Sequence, residues 1–291
     1  MPSLTDTLKQ FINHPPDPVV VALAEDIGAG DVTCECFVAA DQRSNARIFS
    51  KQEHIVAAGI EVGARVFRVV DPTLEVRIIR ESGSALSRGD TVLEISGSTR
   101  SILTGERTAL NFMQQLSGVA TLTRKFVEAV KPHKAVILDT RKTTPGLRSM
   151  EKAAVVCGGG TNHRIGLYDM AMVKDNHVAT TNLAQLTANI ATYRTRYPGY
   201  RLELEAQSLQ QVRDFLAMDG IDVIMLDNMS LDEMREAVNL RGTKRVQFEA
   251  SGGVTLDTVA GIAATGVDFI SVGALTHSAP AVDFSLDIEP C

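Results

Sequence analysis

Between residues 139 and 177 the chain carries six basic side chains, Arg141, Lys142, Arg148, Lys152, Arg164 and Lys174, against four acids, Asp139, Glu151, Asp169 and Asp175. The stretch is net +2 in a chain whose remaining residues sum to −8. Cations at this density suit the capture of an anion: guanidinium groups offer paired N–H donors to a carboxylate, and ammonium groups act as point charges. The plainer reading is a solvated basic face. Placement argues against it. Arg141 and Lys142 follow one apolar run, Lys174 ends another, and His163 and Arg164 follow the glycine turn at 158–160.

Glu203 and Glu205 alternate with Leu202 and Leu204, so on a strand both carboxylates point to one side. They read either as a structural ion network or, with Asp227, as acceptors for sugar hydroxyls and a hard cation such as Mg2+, which takes few carboxylates and keeps waters. Ser251, Gly252 and Gly253 end one further apolar run, and Ser271, Val272 and Gly273 end another. Small residues there let backbone N–H groups approach a phosphate. His14, His54 and His133 read as surface residues, Met170 and Met172 as core packing, and His177 as near the site or at the start of the next helix.

These groups need elements to hold them. Short apolar runs at 135–138, 170–173, 201–204, 222–226, 246–248 and 268–272 are mostly separated by amphipathic helical stretches. Two of those helices open with capping-box spacing, Ser208 with Gln211 and Ser230 with Glu233, and close near Gly220 and Gly242. Strand–helix alternation predicts parallel strands joined by right-handed crossovers. Each run ends in polar residues or glycine, at 139–141, 174–175, 203–205, 227, 249–251 and 273, which favours a barrel whose strand ends share one rim. A full eight-stranded barrel takes about 250 residues, so the predicted class is α/β, an incomplete, six- to seven-stranded parallel α/β barrel behind an N-terminal α+β domain.

The α+β part is read from strand-like runs at 47–50, 74–79 and 91–95, a helix over 60–70, and a helix followed by a loop in the first forty residues. A helical stripe through Leu103, Leu110, Met113, Leu116, Leu122, Phe126 and Val130 leads to Pro132. The expected domains are 1–115, 116–275 and a tail, 276–291, returning to the first domain.

Composition narrows the function. Hydrophobic residues at 44% and charged residues at 22% are ordinary globular usage. With 29 Lys and Arg against 35 Asp and Glu, net −6, bulk attraction to nucleic acid or anionic membrane is not expected, and any anion must be caught locally. Apolar runs fall far short of the roughly 20 residues that span a bilayer, and residues 1–18 lack a secretory pattern, so a cytoplasmic location is expected. Cys34, Cys36, Cys157 and Cys291 form no CxxC or Cys/His zinc spacing. Neither a GxGxxG after the first strand nor a GxxxxGK[ST] occurs.

Eight segments carry a resemblance: EDIGAGDVT at 25–33, GERTALN at 105–111, DTRKTTPGLR at 139–148, GGGTNHRIGLYD at 158–169, VKDNH at 173–177, LDN at 226–228, EASGG at 249–253 and SVGALTHSAPAVDFSL at 271–286. In this order, over nearly the whole chain, they resemble the quinolinate phosphoribosyltransferase family. The resemblance implies a homodimer or oligomer of dimers whose sites are completed by the neighbouring subunit. It also implies a reaction joining quinolinate to 5-phosphoribosyl 1-pyrophosphate, with Mg2+, to give nicotinate mononucleotide, pyrophosphate and CO2.

Carried over by matching positions, Thr140, Arg141, His163, Arg164 and Lys174 would hold quinolinate, with Arg107 arriving from the partner chain. Lys142, Glu205 and Asp227 would be catalytic and serve the phosphoribosyl donor, Glu205 and Asp227 also holding its metal. Ser251, Gly252, Gly253, Ser271, Val272 and Gly273 would receive the donor's phosphate. Glu203, two residues from Glu205 on the same face, stands as the alternative to it. Three rival activities are weighed: a phosphoribosyltransferase for another aromatic acid, a barrel lyase with a Schiff base on Lys142 or Lys174, and a non-catalytic phosphate-ligand sensor.

Overall fold

The computed structural model describes residues 14–178 and 182–291, with Lys9 and Ile12. The secretory-signal expectation, drawn on residues 1–18, lies largely outside the described residues.

In chain order the elements are α1 (Pro18–Ile27), α2 (Val32–Phe37), β1 (Arg43–Ser50), β2 (Ile55–Val56), α3 (Ile60–Val70), β3 (Glu75–Ile78), β4 (Ala85–Leu86), β5 (Thr91–Ser98) and α4 (Thr99–Ala129). The chain continues through β6 (Val136–Leu138), α5 (Arg148–Cys157), β7 (Ala171–Val173), α6 (Asp175–Val178), α7 (Leu183–Arg196), β8 (Leu202–Ala206), α8 (Leu209–Leu216) and β9 (Val223–Asp227). It closes with α9 (Leu231–Leu240), β10 (Gln247–Ser251), α10 (Leu256–Ala263), β11 (Phe269–Ser271), α11 (Ala274–His277) and β12 (Phe284–Pro290).

Two compact units result, Met1–Thr121 with Pro280–Cys291, and Leu122–Ala279. These boundaries fall a few residues beyond the expected 115 and 275. In the first unit a sheet runs β12-β1-β5-β3, and β12 pairs antiparallel with β1 along its length. Buried Ser44, Ala46, Ile48 and Ser50 alternate with outward residues on β1, so one face is packed and the other is wet. The 25–33 run ends α1 at Ile27, turns through residues 28–31 as the helix-then-loop reading expects, and begins α2 at Val32. The Asp31 side chain caps α2 by accepting the Cys34 N–H at 3.0 Å, a bond that replaces a missing intrahelical partner.

The second unit carries six parallel strands in the order β6-β11-β10-β9-β8-β7. A seventh position is filled by an extended segment at Thr161, which bridges Leu138 in parallel and exchanges backbone bonds with Ile137 and Asp139. In the sequence this segment shows only the glycine turn at 158–160, because a one-residue bridge has no periodicity. Strand β8 is buried throughout, as expected where both faces are covered. Ser230 and Glu233 make both bonds of a capping box at the start of α9, and Ser208 accepts the Gln211 N–H ahead of α8.

Candidate active site

The carboxyl ends of the barrel strands surround a cavity of about 610 Å3. Thr140, Arg141 and Lys142 enter it from beyond β6, His163 and Arg164 from the Thr161 segment, and Lys174 from the end of β7. Asp227 closes β9, Glu249 and Ser251 lie on β10, and Gly252, Gly253, Ser271 and Gly273 complete the rim. Four of the six expected cations, Arg141, Lys142, Arg164 and Lys174, therefore share one concavity.

The other two are braces. Lys152 on α5 is buried, and its ammonium donates to the buried Asp139 and to the His163 carbonyl. Asp139 also accepts the His163 N–H at 2.8 Å, and the Asn162 amide, turned so that its nitrogen faces acceptors, donates to the same carboxylate. Asp139, expected on the rim, is thus an internal anchor that fixes the backbone presenting His163 and Arg164. Arg148 donates to Thr143 Oγ1 at 3.0 Å and to the carbonyls of Ile165 and Arg141, tying the loops behind the cavity.

The Arg141 Nε is buried with no hydrogen-bond partner. An orphaned guanidinium donor costs its full desolvation unless an acceptor arrives, so the cavity is built for an anion there. Among the described residues the Arg164 guanidinium donates to the Met170 carbonyl at 3.3 Å and, weakly, to the Met172 sulfur at 3.6 Å. Burial, together with the neighbouring Arg141, lowers its pKa.

Beneath these cations, His163 Nε2 lies 3.1 Å from Glu203 Oε2 and 3.3 Å from Glu249 Oε2. Ser271 Oγ donates to the other oxygen of Glu249. Burial alone would lower the His163 pKa, but the two carboxylates raise it to about 9. The Arg164 N–H, 2.7 Å from Nδ1, favours the neutral ring instead. Hydrogen bonds to charged groups are worth about twice those between neutral ones, so the acids prevail. Burial, then the neighbouring Glu249, pushes Glu203 up to about 7 against the pull of His163 and Arg164.

Several expectations change. Val272 does not line the cavity: it is buried, and its N–H donates to the Leu138 carbonyl, leaving nothing for a phosphate. Ser271 reaches the wall, but its hydroxyl is turned to Glu249. Glu205 does not line the wall directly, and its carboxylate accepts from the Lys174 ammonium. Glu203 lies deeper, against His163. Met172, read as core, is half-buried and lines the cavity. Arg107 is exposed on α4 in the first unit. His177 is exposed, accepts the Lys174 N–H through Nδ1, and is outside the cavity lining.

Residues missed in the sequence are Met172, Met225, Asn228, Val254, Thr255, Ala274 and His277. Met172 and Met225 were recoverable, since each stands two residues before a predicted site residue on the same strand face. Asn228 was not: it adopts a left-handed φ of 54° and packs on Gly252, where an added Cβ would stand 2.1 Å from Asn228 Oδ1. Gly252 itself has φ +97°, so only glycine serves there.

For a metal, Glu205 and Asp227 offer hard oxygens. Glu205 is in register with Met225, two residues before Asp227, so both acids lie on one sheet face. Asp227 is half-buried, and the Asn228 amide donates to it at 3.0 Å. This donor set fits Mg2+, which needs one or two carboxylates and keeps water. His163, Glu203 and Glu249 also place ligand atoms within 4.8 Å of one another, but the imidazole already bridges both acids, an arrangement suited to holding a proton.

Sequence models of the quinolinate phosphoribosyl transferase N-terminal and C-terminal domains match residues 31–117 and 119–287. The chain belongs to the quinolinate phosphoribosyltransferase family. Within it, the chain is 41% identical to a probable nicotinate-nucleotide pyrophosphorylase (carboxylating) of Synechocystis sp., covering 91% of this chain and 90% of that protein. The corresponding Bacillus subtilis protein is 38% identical, with 97% and 93% covered. The crystal structure of NadC from Streptococcus pyogenes superposes with a TM-score of 0.87 at 38% identity over 99% of this chain and all of that one. The family's two-domain build is thus the fold described above. No helix among the described residues is long and apolar enough to cross a membrane.

Proposed function

We propose that the protein transfers the phosphoribosyl group of 5-phosphoribosyl 1-pyrophosphate to the ring nitrogen of quinolinate with loss of CO2, forming nicotinate mononucleotide and pyrophosphate in the de novo route to NAD. One observation carries the reading: four cations, one with an orphaned buried donor, converge in a cavity that also holds Asp227 and a glycine rim. A monocarboxylate would leave part of that positive charge desolvated and unpaired, at a cost of several kcal/mol.

In this reading Arg141, Arg164 and Lys174 bind the two carboxylates, with Thr140 and His163 shaping that end. Lys142 and Asp227 face the donor, Glu205 serves it through the shared metal, and Ser251, Gly252, Gly253 and Gly273 receive its 5-phosphate. Mg2+, held by Glu205 and Asp227, would neutralise charge on the pyrophosphate leaving group. As the C1′–oxygen bond breaks, the sugar gains oxocarbenium character, and the inward carboxylates of Glu205 and Asp227 stabilise it without a protein nucleophile. The ring nitrogen then bonds C1′. The resulting pyridinium accepts the electron pair left at C2 when the carboxylate departs as CO2, and a proton takes its place. Only cation placement that favours this departure over the bound dianion aids the step.

The Schiff-base reading finds no support in lysine placement. Such a lysine needs an apolar or cation-lowered setting, whereas Lys174 is ion-paired, Lys142 is exposed and Lys152 is locked on Asp139. We further propose a cytoplasmic homodimer, or oligomer of dimers, in which the exposed Arg107 reaches the partner's cavity.

The test is release of CO2 from carboxyl-labelled quinolinate, expected only when the phosphoribosyl donor and Mg2+ are both present. Preference for pyridine-3-carboxylate, or binding without turnover, would replace this function by the aromatic-acid relative or the sensor.

A further inference from the structure

Lys174 follows β7, and Glu205 is the fourth residue of the neighbouring parallel strand β8. The lysine ammonium donates to the glutamate carboxylate. The two partners differ in freedom: the Lys174 side chain is 42% exposed and that of Glu205 6%. The acid is therefore the anchored member and the lysine the member able to leave. Each also faces a second demand. Lys174 shares the cavity with Arg141 and Arg164, and Glu205 shares a sheet face with Asp227.

We propose that the Lys174–Glu205 pair couples the two substrate subsites. While Glu205 holds no cation, the pair stays closed. When the hard cation accompanying the donor takes Glu205, the ammonium is released to a carboxylate of the aromatic diacid. This deepens the reading of the previous subsection and rests on it. The physical basis is an exchange of partners. Removing Lys174 alone would leave a nearly buried carboxylate uncompensated, whereas replacing it by a divalent ion keeps the acid neutralised and frees a cation for the second substrate. Because coupling of two equilibria is reciprocal, the diacid must tighten donor binding by the same factor.

The experiment is calorimetric titration of the full-length protein with benzene-1,2-dicarboxylate, which has both carboxylates but lacks the reacting nitrogen. It is run alone, with Mg2+, and with Mg2+ plus 5-phosphoribosyl 1-pyrophosphate. The diacid Kd is expected to fall about five- to tenfold when donor and Mg2+ are present, within the usual range of such couplings. Glu205→Gln should bind the diacid without donor as tightly as the wild type does with it, and gain nothing further. Lys174→Met should bind weakly in every condition, and adding Glu205→Gln to it should restore little.

A wild-type Kd indifferent to the donor overturns the proposal. So does a Glu205→Gln gain of equal size with and without Lys174, since that is plain removal of charge. Labelled CO2 release, measured on the same preparation, separates the two readings: turnover with uncoupled binding defeats the coupling alone, and failure of the donor to bind in its own titration defeats both.

Discussion

Oε2 of Glu203 lies 3.1 Å from Nε2 of His163 at a point where the carboxylate has no exposure to solvent. Glu249, nearly as buried, approaches the same nitrogen from β10. Two acids around one ring nitrogen favour the imidazolium over the neutral ring that the Arg164 N–H favours. His163 titrates near 9 in the fold, above its ordinary value of 6.5. A raised folded-state pKa means the folded protein binds the extra proton more tightly than the unfolded chain. The stabilisation is complete below 6.5 and is lost as pH rises through 9. Thermal midpoints should decline over that window, by about 1.6 °C per kcal/mol lost at the usual unfolding entropy per residue. His163→Gln should flatten the decline, and an unchanged slope in that variant would assign it to other groups.

Lys152 and Asp139 neutralise each other inside the second unit, at 2% and 0% side-chain exposure. Lys152→Met strands the carboxylate and should lower the unfolding free energy by about 3–5 kcal/mol, the usual result of breaking a buried pair from one side. Replacing both, Lys152→Met with Asp139→Asn, should recover much of the loss, because no buried charge then lacks a partner. Urea denaturation followed by circular dichroism measures both variants.

Gly252 is fixed by two independent constraints, its positive φ and the Asn228 side chain against its α-carbon. Gly252→Ala should strain the loop by about 1–3 kcal/mol and move Asn228. The expected signature is a raised KM for the phosphoribosyl donor with the quinolinate KM little changed. Gly253→Ala, which has φ +60° but open space around the new methyl, should be milder. Steady-state kinetics with each substrate varied in turn distinguishes the two.

Arg107→Ala should abolish activity while the subunits stay folded, and so should Lys142→Ala in the cavity. If Arg107 serves the neighbouring subunit, mixed dimers contain one repaired site and regain a fraction of wild-type activity. Mixed dimers that form, shown by differential tagging, and stay inactive would remove the cross-subunit role.

From the residues alone came the strand–helix alternation, the parallel barrel, and the ends at which Arg141, Lys174, Asp227 and Ser251 would meet. Those features are local: side-chain period, capping spacing and polar strand termini are all written within a few residues. The shared face of Glu203 and Glu205 was legible for the same reason. Tertiary structure alone decided what each charge does. Lys152 and Arg148 belong to the same basic stretch as Arg141, yet they brace the loops, because partners from the Thr161 segment and from Asp139 reach them in space and not in sequence. Val272 lost its expected role because its N–H was needed by the neighbouring strand. Glu203 and Glu205, two positions apart, were divided by depth between a histidine and a lysine arriving from different segments. The charge of a residue is written in its identity, but the partner that compensates it is set by three-dimensional packing, and that partner determines whether the charge remains available to a substrate.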